Sequence, residues 1–255
     1  MGDQMDQVTR RTGSMDRAMI ILGIDTATDA VSVAIGEGFR ILAHSEVVSD
    51  RQHCEALAPM IDFVCKQADV SFREIGAIAV DVGPGLFTGM RVGVATAKAI
   101  AFSLDLPIIG ICSLDVLASA APRTDSVTIS VIDARRHEIY WSMYHTIENE
   151  LTQVFAPRVG SVTELVASVL ERFQSAQFVG NGALQYRSEI VDALGSSFPG
   201  CEFADARFSR PTASAVVAMA HRLAVEERWQ SADQLSPVYL RQPDAEINWA
   251  TRDAS

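Results

Sequence analysis

The sequence has no run of apolar residues long enough to cross a membrane. Its longest candidates, residues 78–82 and 99–102, are interrupted or flanked by Asp, Gly and Lys, whereas a membrane-spanning helix needs roughly 18 or more residues. The first 17 residues are polar and of mixed charge, without the apolar centre of a secretory signal. We therefore expect a cytoplasmic protein that makes no membrane contact.

Cysteine is scarce, and its spacing fits neither a metal site nor a redox pair. The four cysteines form no C-x-x-C motif, so free, buried thiols are the expected state. The five histidines lack the H-x-x-x-H and H-E-x-x-H spacings of a helical metal pair, and no G-x-S-x-G segment is present. The sequence thus predicts no metal site, no catalytic residue and no cofactor of its own.

The chain has fewer basic than acidic residues. The chain has 21 Lys and Arg against 32 Asp and Glu, a net charge of −11. Such a balance repels a phosphate backbone. If nucleic acid is the substrate, another subunit must hold it.

What the sequence does have is a repeated order of predicted elements. With 48% apolar residues over 255 positions, a substantial core is expected. Periodicity in the first half predicts strands at 19–25, 31–35 and 41–48, a helix at 54–68, a strand at 78–82, a helix at 90–104, a strand at 108–111 and a helix from 114. The second half predicts strands at 127–133, 138–144 and 152–158, a helix at 162–173, a strand at 177–179, and helices at 184–194 and 212–227.

Two units of β-β-β-α-β-α order predict an α/β protein of the ribonuclease-H-like, actin-like (ASKHA) fold, with two duplicated lobes. Actin, sugar kinases and acetate kinases share this plan. We predict an N-terminal lobe at 19–121 and a C-terminal lobe at 122–235. A disordered extension at 1–18 precedes them and a tail at 236–255 follows.

Two turns are expected to face the cleft between the lobes, where this fold class contacts nucleotide phosphates. They span 25–29 and 133–137 and contain no glycine, and Arg135 and Arg136 fill the second. Asp25 and Asp133 have two interpretations: each ends a buried strand and caps its turn, or each contacts a nucleotide.

A glycine-rich segment, Gly83-Pro-Gly-Leu-Phe-Thr-Gly89, joins a buried strand to a helix. Such a junction favours anions through its backbone amides and the helix dipole, although the Gly-Lys-Ser/Thr ending of a Walker loop is missing. Close packing and sharp chain reversal are the structural alternative. A functional cleft would make weak nucleotide or anion contact at Asp25, Gly83, Gly85, Thr88 and Gly89.

The helices predicted from Cys54 and from Met90 are apolar on more than one face. The first adds Ala56, Ala58 and Phe63 to an ordinary core stripe, and the second is rich in small residues. Either both helices are sandwiched inside their lobe, or they form a protein interface. Their presence in the same lobe favours the interface.

Four segments then carry a family resemblance. They are Ile21-Leu-Gly-Ile-Asp-Thr-Ala-Thr28, Arg51-Gln-His-Cys-Glu-Ala-Leu-Ala-Pro59, Gly83-Pro-Gly-Leu-Phe-Thr-Gly-Met-Arg-Val-Gly93 with Ala97-Lys98, and Asp133-Ala-Arg-Arg136. The chain resembles the bacterial TsaB (YeaZ) family over about residues 19–243, most specifically at 83–98.

The resemblance implies a non-catalytic dimerisation subunit in the machinery that attaches threonylcarbamoyl to N6 of the adenosine 3′ of the tRNA anticodon. Its partners would be the catalytic paralogue TsaD, in a heterodimer, and the ATPase TsaE. The tRNA would be reached only through the complex, and a homodimer is the expected state without TsaD. ATP and the metal would belong to the partners, because the H-x-x-x-H of TsaD is replaced here by Ile111-Cys-Ser-Leu-Asp-Val-Leu117.

In the family, the two apolar helices pack against TsaD. The resemblance therefore assigns partner contacts on both, at His53, Ala56, Leu57, Met60, Phe63, Val64, Arg91, Val94, Ala95 and Lys98. The alternative function is an active nucleotide-dependent enzyme of the actin and sugar-kinase class.

Overall fold

The structure is a computed structural model that describes residues 19–48, 53–148, 150–196 and 198–241. The extension predicted at 1–18 and the part of the tail from 242 to 255 lie outside the described residues. In the described part, no helix combines the length and hydropathy that a membrane crossing requires.

The described elements follow the predicted order in both halves. The first half contains β1 (Ile20–Asp25), β2 (Ala30–Glu37), β3 (Arg40–Val48), α1 (His53–Gln67), β4 (Ala77–Gly83), α2 (Phe87–Leu104), β5 (Ile108–Cys112) and α3 (Ser113–Ala120). The second half contains β6 (Val127–Arg135), β7 (Glu138–Ile147), β8 (Glu150–Gly160), α4 (Val162–Arg172), β9 (Ser175–Val179), α5 (Asn181–Gln185), α6 (Arg187–Leu194), β10 (Gly200–Phe203), a 3₁₀ turn (Ala206–Phe208) and α7 (Ala213–Val225).

Each half forms one five-stranded sheet, and the two sheets have the same strand order. The orders are β3-β2-β1-β4-β5 and β8-β7-β6-β9-β10, with an antiparallel meander joined to parallel strands. The central strands β1 and β4 are buried along their whole length, as expected for strands with helices on both faces. The duplicated ribonuclease-H-like, actin-like fold is confirmed.

Helices cover both faces of the first sheet. One face packs against α1 and α2, and the other against α7. The close seat of α7 depends on Gly23 in β1, because a Cβ there would overlap the side chain of Val217. Although α7 follows the second sheet in the chain, it belongs in space to the first lobe.

The lobes meet around α3. Its Leu114 and Leu117 pack with Ile132, Tyr140 and Tyr144 of the second sheet. The connection is also polar, since Ser130 Oγ donates to the carbonyl of Leu114 at 2.7 Å. The contact between the lobes is therefore a buried, mixed interface.

Three local predictions differ from the structure. Helix α2 begins at Phe87, directly after the glycine-rich turn, three residues before the predicted start. The helix predicted at 184–194 is two helices, because α5 starts at Asn181 and ends before Tyr186. Strand β10 was not predicted; it has only four residues, none of them fully buried, so no apolar period marks it.

The beginning of the predicted tail is docked. Leu235 is buried in the core of the first lobe, and Val238 N donates to the carbonyl of Val82 at 2.8 Å. Arg241 then reaches the second lobe, where it pairs with Glu138 at 3.2 Å. The segment 235–241 thus spans both lobes, and we call it the strap.

Candidate partner interface and interlobe cleft

Helices α1 and α2 lie side by side over the first sheet, and their inward faces form its core. Spacings of three and four residues place one apolar stripe of each helix against the sheet. Four residues predicted as partner contacts belong to this core and are buried: Leu57, Met60, Val64 and Val94. Because their side chains are occupied inside the lobe, these four assignments are corrected to core residues.

The other predicted contacts face outward or lie at the edge of the helices. Phe63 is 49% exposed, and Arg91 and Ala95 are exposed. Ala56 and Lys98 are half-buried, and the side chain of His53 lies outside the described part. The surface that α1 and α2 offer is therefore centred on Phe63 and Ala95.

Two outward residues of α2 were not among the predicted partner contacts. Ala99 is exposed and Phe102 is 84% exposed, one and two turns after Ala95. The signal was available, because the period that places Val94, Ala97 and Ala101 inside also places Ala95, Ala99 and Phe102 outside. We call these last three residues with Phe63 the outer patch.

The strap contacts α2 at two residues, Arg91 and Lys98. Lys98 Nζ donates to the carbonyl of Leu235 at 2.9 Å, and Arg91 Nε donates to the hydroxyl of Tyr239 at 2.9 Å. The guanidinium of Arg91 also lies 3.7 Å from the ring centre of Phe87. Two predicted partner contacts are thus engaged by the chain itself.

The cleft between the lobes holds two adjoining cavities of about 240 and 390 Å³. Leu86, Asp133 and Arg135 line both of them. The β1–β2 turn and Arg210 complete the smaller cavity, and the start of α2 with the strap completes the larger. As predicted, the 133–137 turn faces the cleft.

Asp29 and Arg210 close one side of the smaller cavity. The guanidinium donates twice to the carboxylate, at 2.6 and 2.8 Å. These bonds lower the pKa of Asp29 and raise that of Arg210. The β1–β2 turn is thereby tied to the segment that precedes α7.

The β6–β7 turn has an unusual backbone. Arg135, Arg136 and His137 have φ angles of 65°, 55° and 60°, in the left-handed region that residues other than glycine rarely adopt. Asp133 supports this turn, since its Oδ1 accepts from Arg135 N at 3.0 Å. The interpretation of Asp133 as a capping carboxylate is therefore supported.

Asp25 is fully buried, not at the cleft surface. Its Oδ1 accepts from Ala27 N at 2.9 Å, and its carboxyl lies beside Asp81 of β4. Burial, and then the charge of Asp81, raise the pKa of Asp25. This is the environment of a structural carboxyl group.

The glycine-rich turn packs against the β1–β2 turn. Leu86 N donates to the carbonyl of Ala27 at 2.7 Å, and a Cβ on Gly85 would overlap that carbonyl oxygen. Of the residues predicted to contact a nucleotide or anion, Gly85 and Thr88 line a cavity, whereas Asp25, Gly83 and Gly89 are buried. Close packing explains Gly85, and nucleotide contact at this turn stays a prediction.

A serine and a histidine lie within hydrogen-bonding distance in the first lobe. Ser32 Oγ is 3.0 Å from His44 Nε2, but Ser32 is fully buried. Glu46 lies 4.0 Å from the same nitrogen, whereas a catalytic relay needs the carboxylate on the other ring nitrogen. This arrangement is therefore structural.

In the described ranges, no group of three or more His, Cys, Asp and Glu side chains is placed to hold a metal ion. The four cysteines are free, as predicted, but the prediction that they are buried holds only for Cys65. Cys54 is exposed, and Cys112 and Cys201 are partly buried. Burial raises the pKa of the Cys112 thiol to about 12, which keeps it protonated.

Comparisons with known proteins agree on one family. A family model described as "TsaD: tRNA N6-adenosine threonylcarbamoyltransferase" matches residues 41–249. The tRNA threonylcarbamoyladenosine biosynthesis protein TsaB of Escherichia coli is 33% identical over 230 residues, which cover 88% of this chain and 95% of that protein. An uncharacterised protein of Mycobacterium leprae is 40% identical over 150 residues, 57% of this chain and 40% of that protein. The solved structure of YeaZ from Pseudomonas aeruginosa superposes with a TM-score of 0.74 and 27% identity, over 87% of this chain and 100% of that one.

Proposed function

Because the chain belongs to the TsaB family of tRNA threonylcarbamoyladenosine biosynthesis proteins, we propose that it is a non-catalytic subunit that binds a TsaD-type partner through α1 and α2. Its role lies in tRNA modification. The chemistry, with ATP and a metal, would reside on TsaD and on a TsaE-type ATPase. We place the complex in the cytoplasm, with its tRNA substrate.

The observation that carries this proposal is the outer patch. Phe63 on α1 and Phe102 on α2 are 49% and 84% exposed, and α2 also exposes the small apolar side chains of Ala95 and Ala99. Contiguous apolar surface on a soluble domain marks an interaction site. Small residues along a helix allow a partner helix to approach closely.

The chain's charge supports a scaffold that works through a partner. A net charge of −11 opposes direct tRNA binding. Asp25 is fully buried and accepts a hydrogen bond within its own turn, which favours a structural role. The metal-binding histidines of TsaD have no counterpart at residues 111–117. We infer that tRNA contact and group transfer belong to the assembled complex.

The first prediction tests the outer patch by co-purification with the TsaD-type protein of the same organism. Phe63→Asp and Ala95→Asp should each weaken binding at least about ten-fold, because an unpaired carboxylate is costly in an interface that excludes water. Threonylcarbamoyl transfer to tRNA by the reconstituted complex should fall in parallel. Circular dichroism should remain unchanged, since both side chains face outward.

The matched controls lie on α4 of the second lobe. Leu170 and Ala167 are exposed residues of similar character, and Leu170→Asp and Ala167→Asp should leave binding intact. Equal binding by all four variants would reject the patch. Turnover, or nucleotide binding, by the isolated chain would instead favour the alternative of a nucleotide-dependent enzyme.

A further inference from the structure

Two buried carboxyl groups lie next to each other at the centre of the first sheet. Asp25 ends β1, and Asp81 lies near the end of the neighbouring parallel strand β4. The register pairs Ile24 with Val80, which places the two aspartates at adjacent positions. Both residues are fully buried.

Each carboxyl group has one satisfied oxygen and one orphaned oxygen. Asp25 Oδ1 accepts from Ala27 N at 2.9 Å. Asp81 Oδ1 accepts from Gly83 N at 2.7 Å and from Ser113 Oγ at 2.5 Å. Oδ2 of both residues is buried and, among the described groups, has no donor.

The surroundings oppose two negative charges at this place. Glu46 of β3 and Asp115 of α3 add acidic charge. Two further ionisable groups lie nearby: the thiol of Cys112, at the end of β5, and His44, which reaches the region through Ser32. A buried pair of unneutralised carboxylates is strongly unfavourable, whereas one proton between them removes a charge and satisfies both orphaned oxygens.

We propose that Asp25 and Asp81 share one proton, carried on Asp25 Oδ2 and donated to Asp81 Oδ2, and that this proton latches the turns that seat α2. The proposal concerns the isolated chain and does not depend on the proposed function. No covalent bond is made or broken apart from the exchange of this proton with water.

The hydrogen bonds decide which residue carries the proton. Asp81 accepts two donors at Oδ1, from Gly83 and Ser113, and is therefore the better anion. Asp25 accepts only one. The pKa shifts agree in direction: burial raises both values, the charge of Asp81 raises the pKa of Asp25 further, and the bonds from Ser113 and Gly83 lower the pKa of Asp81.

The shared proton connects elements that hold α2. Asp25 anchors the β1–β2 turn through Ala27, and Asp81 anchors the glycine-rich turn through Gly83. The two turns are joined by the bond from Leu86 N to the carbonyl of Ala27, and Thr26 Oγ1 donates to the carbonyl of Gly89 inside α2 at 2.7 Å. Loss of the proton would separate the carboxylates and loosen the start of α2.

The sign of the pH effect follows from raised pKa values in the folded state. The stabilisation is complete at low pH, below the unfolded value, and is lost as pH rises through the folded values. The melting temperature of the wild type should therefore fall as pH rises from about 4 through the raised pKa of Asp81, about 7. It should fall further as Asp25, whose pKa is also raised, loses the shared proton.

The test is a pH series of thermal unfolding with Asp25→Asn and Asp81→Asn, on the chain alone. The Asp25→Asn variant supplies the missing donor without titrating, so its melting temperature should be nearly flat and should exceed that of the wild type at high pH. Asp81→Asn should be less stable than Asp25→Asn at high pH, where it leaves the poorer anion ionised. His44→Gln and Asp115→Asn, which remove neighbouring ionisable groups, should still show the fall in melting temperature with rising pH.

A direct measurement removes dependence on the variants. The ¹³C carboxyl shifts should show that wild-type Asp25 is still protonated when pH has risen past about 7, the raised pKa of Asp81, far above the usual aspartate pKa of about 3.9. Amide exchange at the start of α2 should accelerate as this proton is lost. Two ionised carboxyls at pH 6, or parallel pH curves for the wild type and Asp25→Asn, would overturn the proposal.

Discussion

Gly85 stands where the glycine-rich turn meets the β1–β2 turn, and its lack of a side chain serves packing. A Cβ at this position would lie nearest to the backbone carbonyl of Ala27, which cannot swing aside as a flexible side chain could. The same carbonyl accepts from Leu86 N. A methyl group here would separate the two turns and break that hydrogen bond.

Gly85→Ala should lower the free energy of unfolding by about 1–3 kcal/mol, the usual cost of forcing an extra carbon into a packed site. Urea denaturation of the variant and the wild type measures this loss of unfolding free energy. Thr88→Ala, an exposed change three residues later, is the control and should stay within about 0.5 kcal/mol; an equal loss in both variants would contradict the packing explanation.

At the scale of elements, the ion pair of Asp29 and Arg210 joins the β1–β2 turn to the approach of α7. The pair is half-buried and bidentate, a geometry that lysine cannot reproduce. Helix α7 comes from the second half of the chain and packs on the first sheet. The ion pair therefore helps to hold a return of the chain to the first lobe, which no local sequence pattern predicts.

Arg210→Lys should therefore cost about 0.5–1 kcal/mol in urea unfolding at neutral pH, after allowance for solvent screening. The lowered pKa of Asp29 gives the sign of the pH effect: the contribution is present above the unfolded value of about 3.9 and is lost as pH falls through the folded value. The difference between variant and wild type should thus shrink in acid. Arg207→Lys, in an exposed pair at 3.9 Å, should show no comparable loss at any pH.

At the scale of the whole molecule, the strap and α3 make the lobes one unit. Leu235 is buried in the first lobe, while Leu240 packs in the cluster between the lobes and Arg241 pairs with Glu138 of the second. The strap also engages Arg91 and Lys98 of α2. The strap therefore links α2 of the first lobe to the second lobe.

Leu235→Ala should lower the free energy of unfolding by about 2–4 kcal/mol, since it leaves a cavity at the place where the strap enters the core. Unfolding should remain a single transition by near-ultraviolet circular dichroism and by tryptophan fluorescence. Trp141 lies in the core of the second lobe, so its fluorescence reports on that lobe. Leu170→Ala, at an exposed site, should cost less than about 0.5 kcal/mol. Two separate transitions in the Leu235 variant would mean that α3 alone does not couple the lobes.

The sequence by itself determined the element order and the duplicated fold, because strand and helix periods are local properties of the chain. It also located the two helices that we propose as the partner interface, from their apolar faces, and the glycine-rich turn, from its composition. It could not tell that Leu57, Met60, Val64 and Val94 are core while Ala99 and Phe102 are outside, since a helix that is apolar all round does not reveal which face meets the sheet. The tertiary structure alone paired Asp25 with Asp81, Asp29 with Arg210 and the strap with α2, because these contacts join residues that are distant in sequence and depend on sheet register and the crossing of α7.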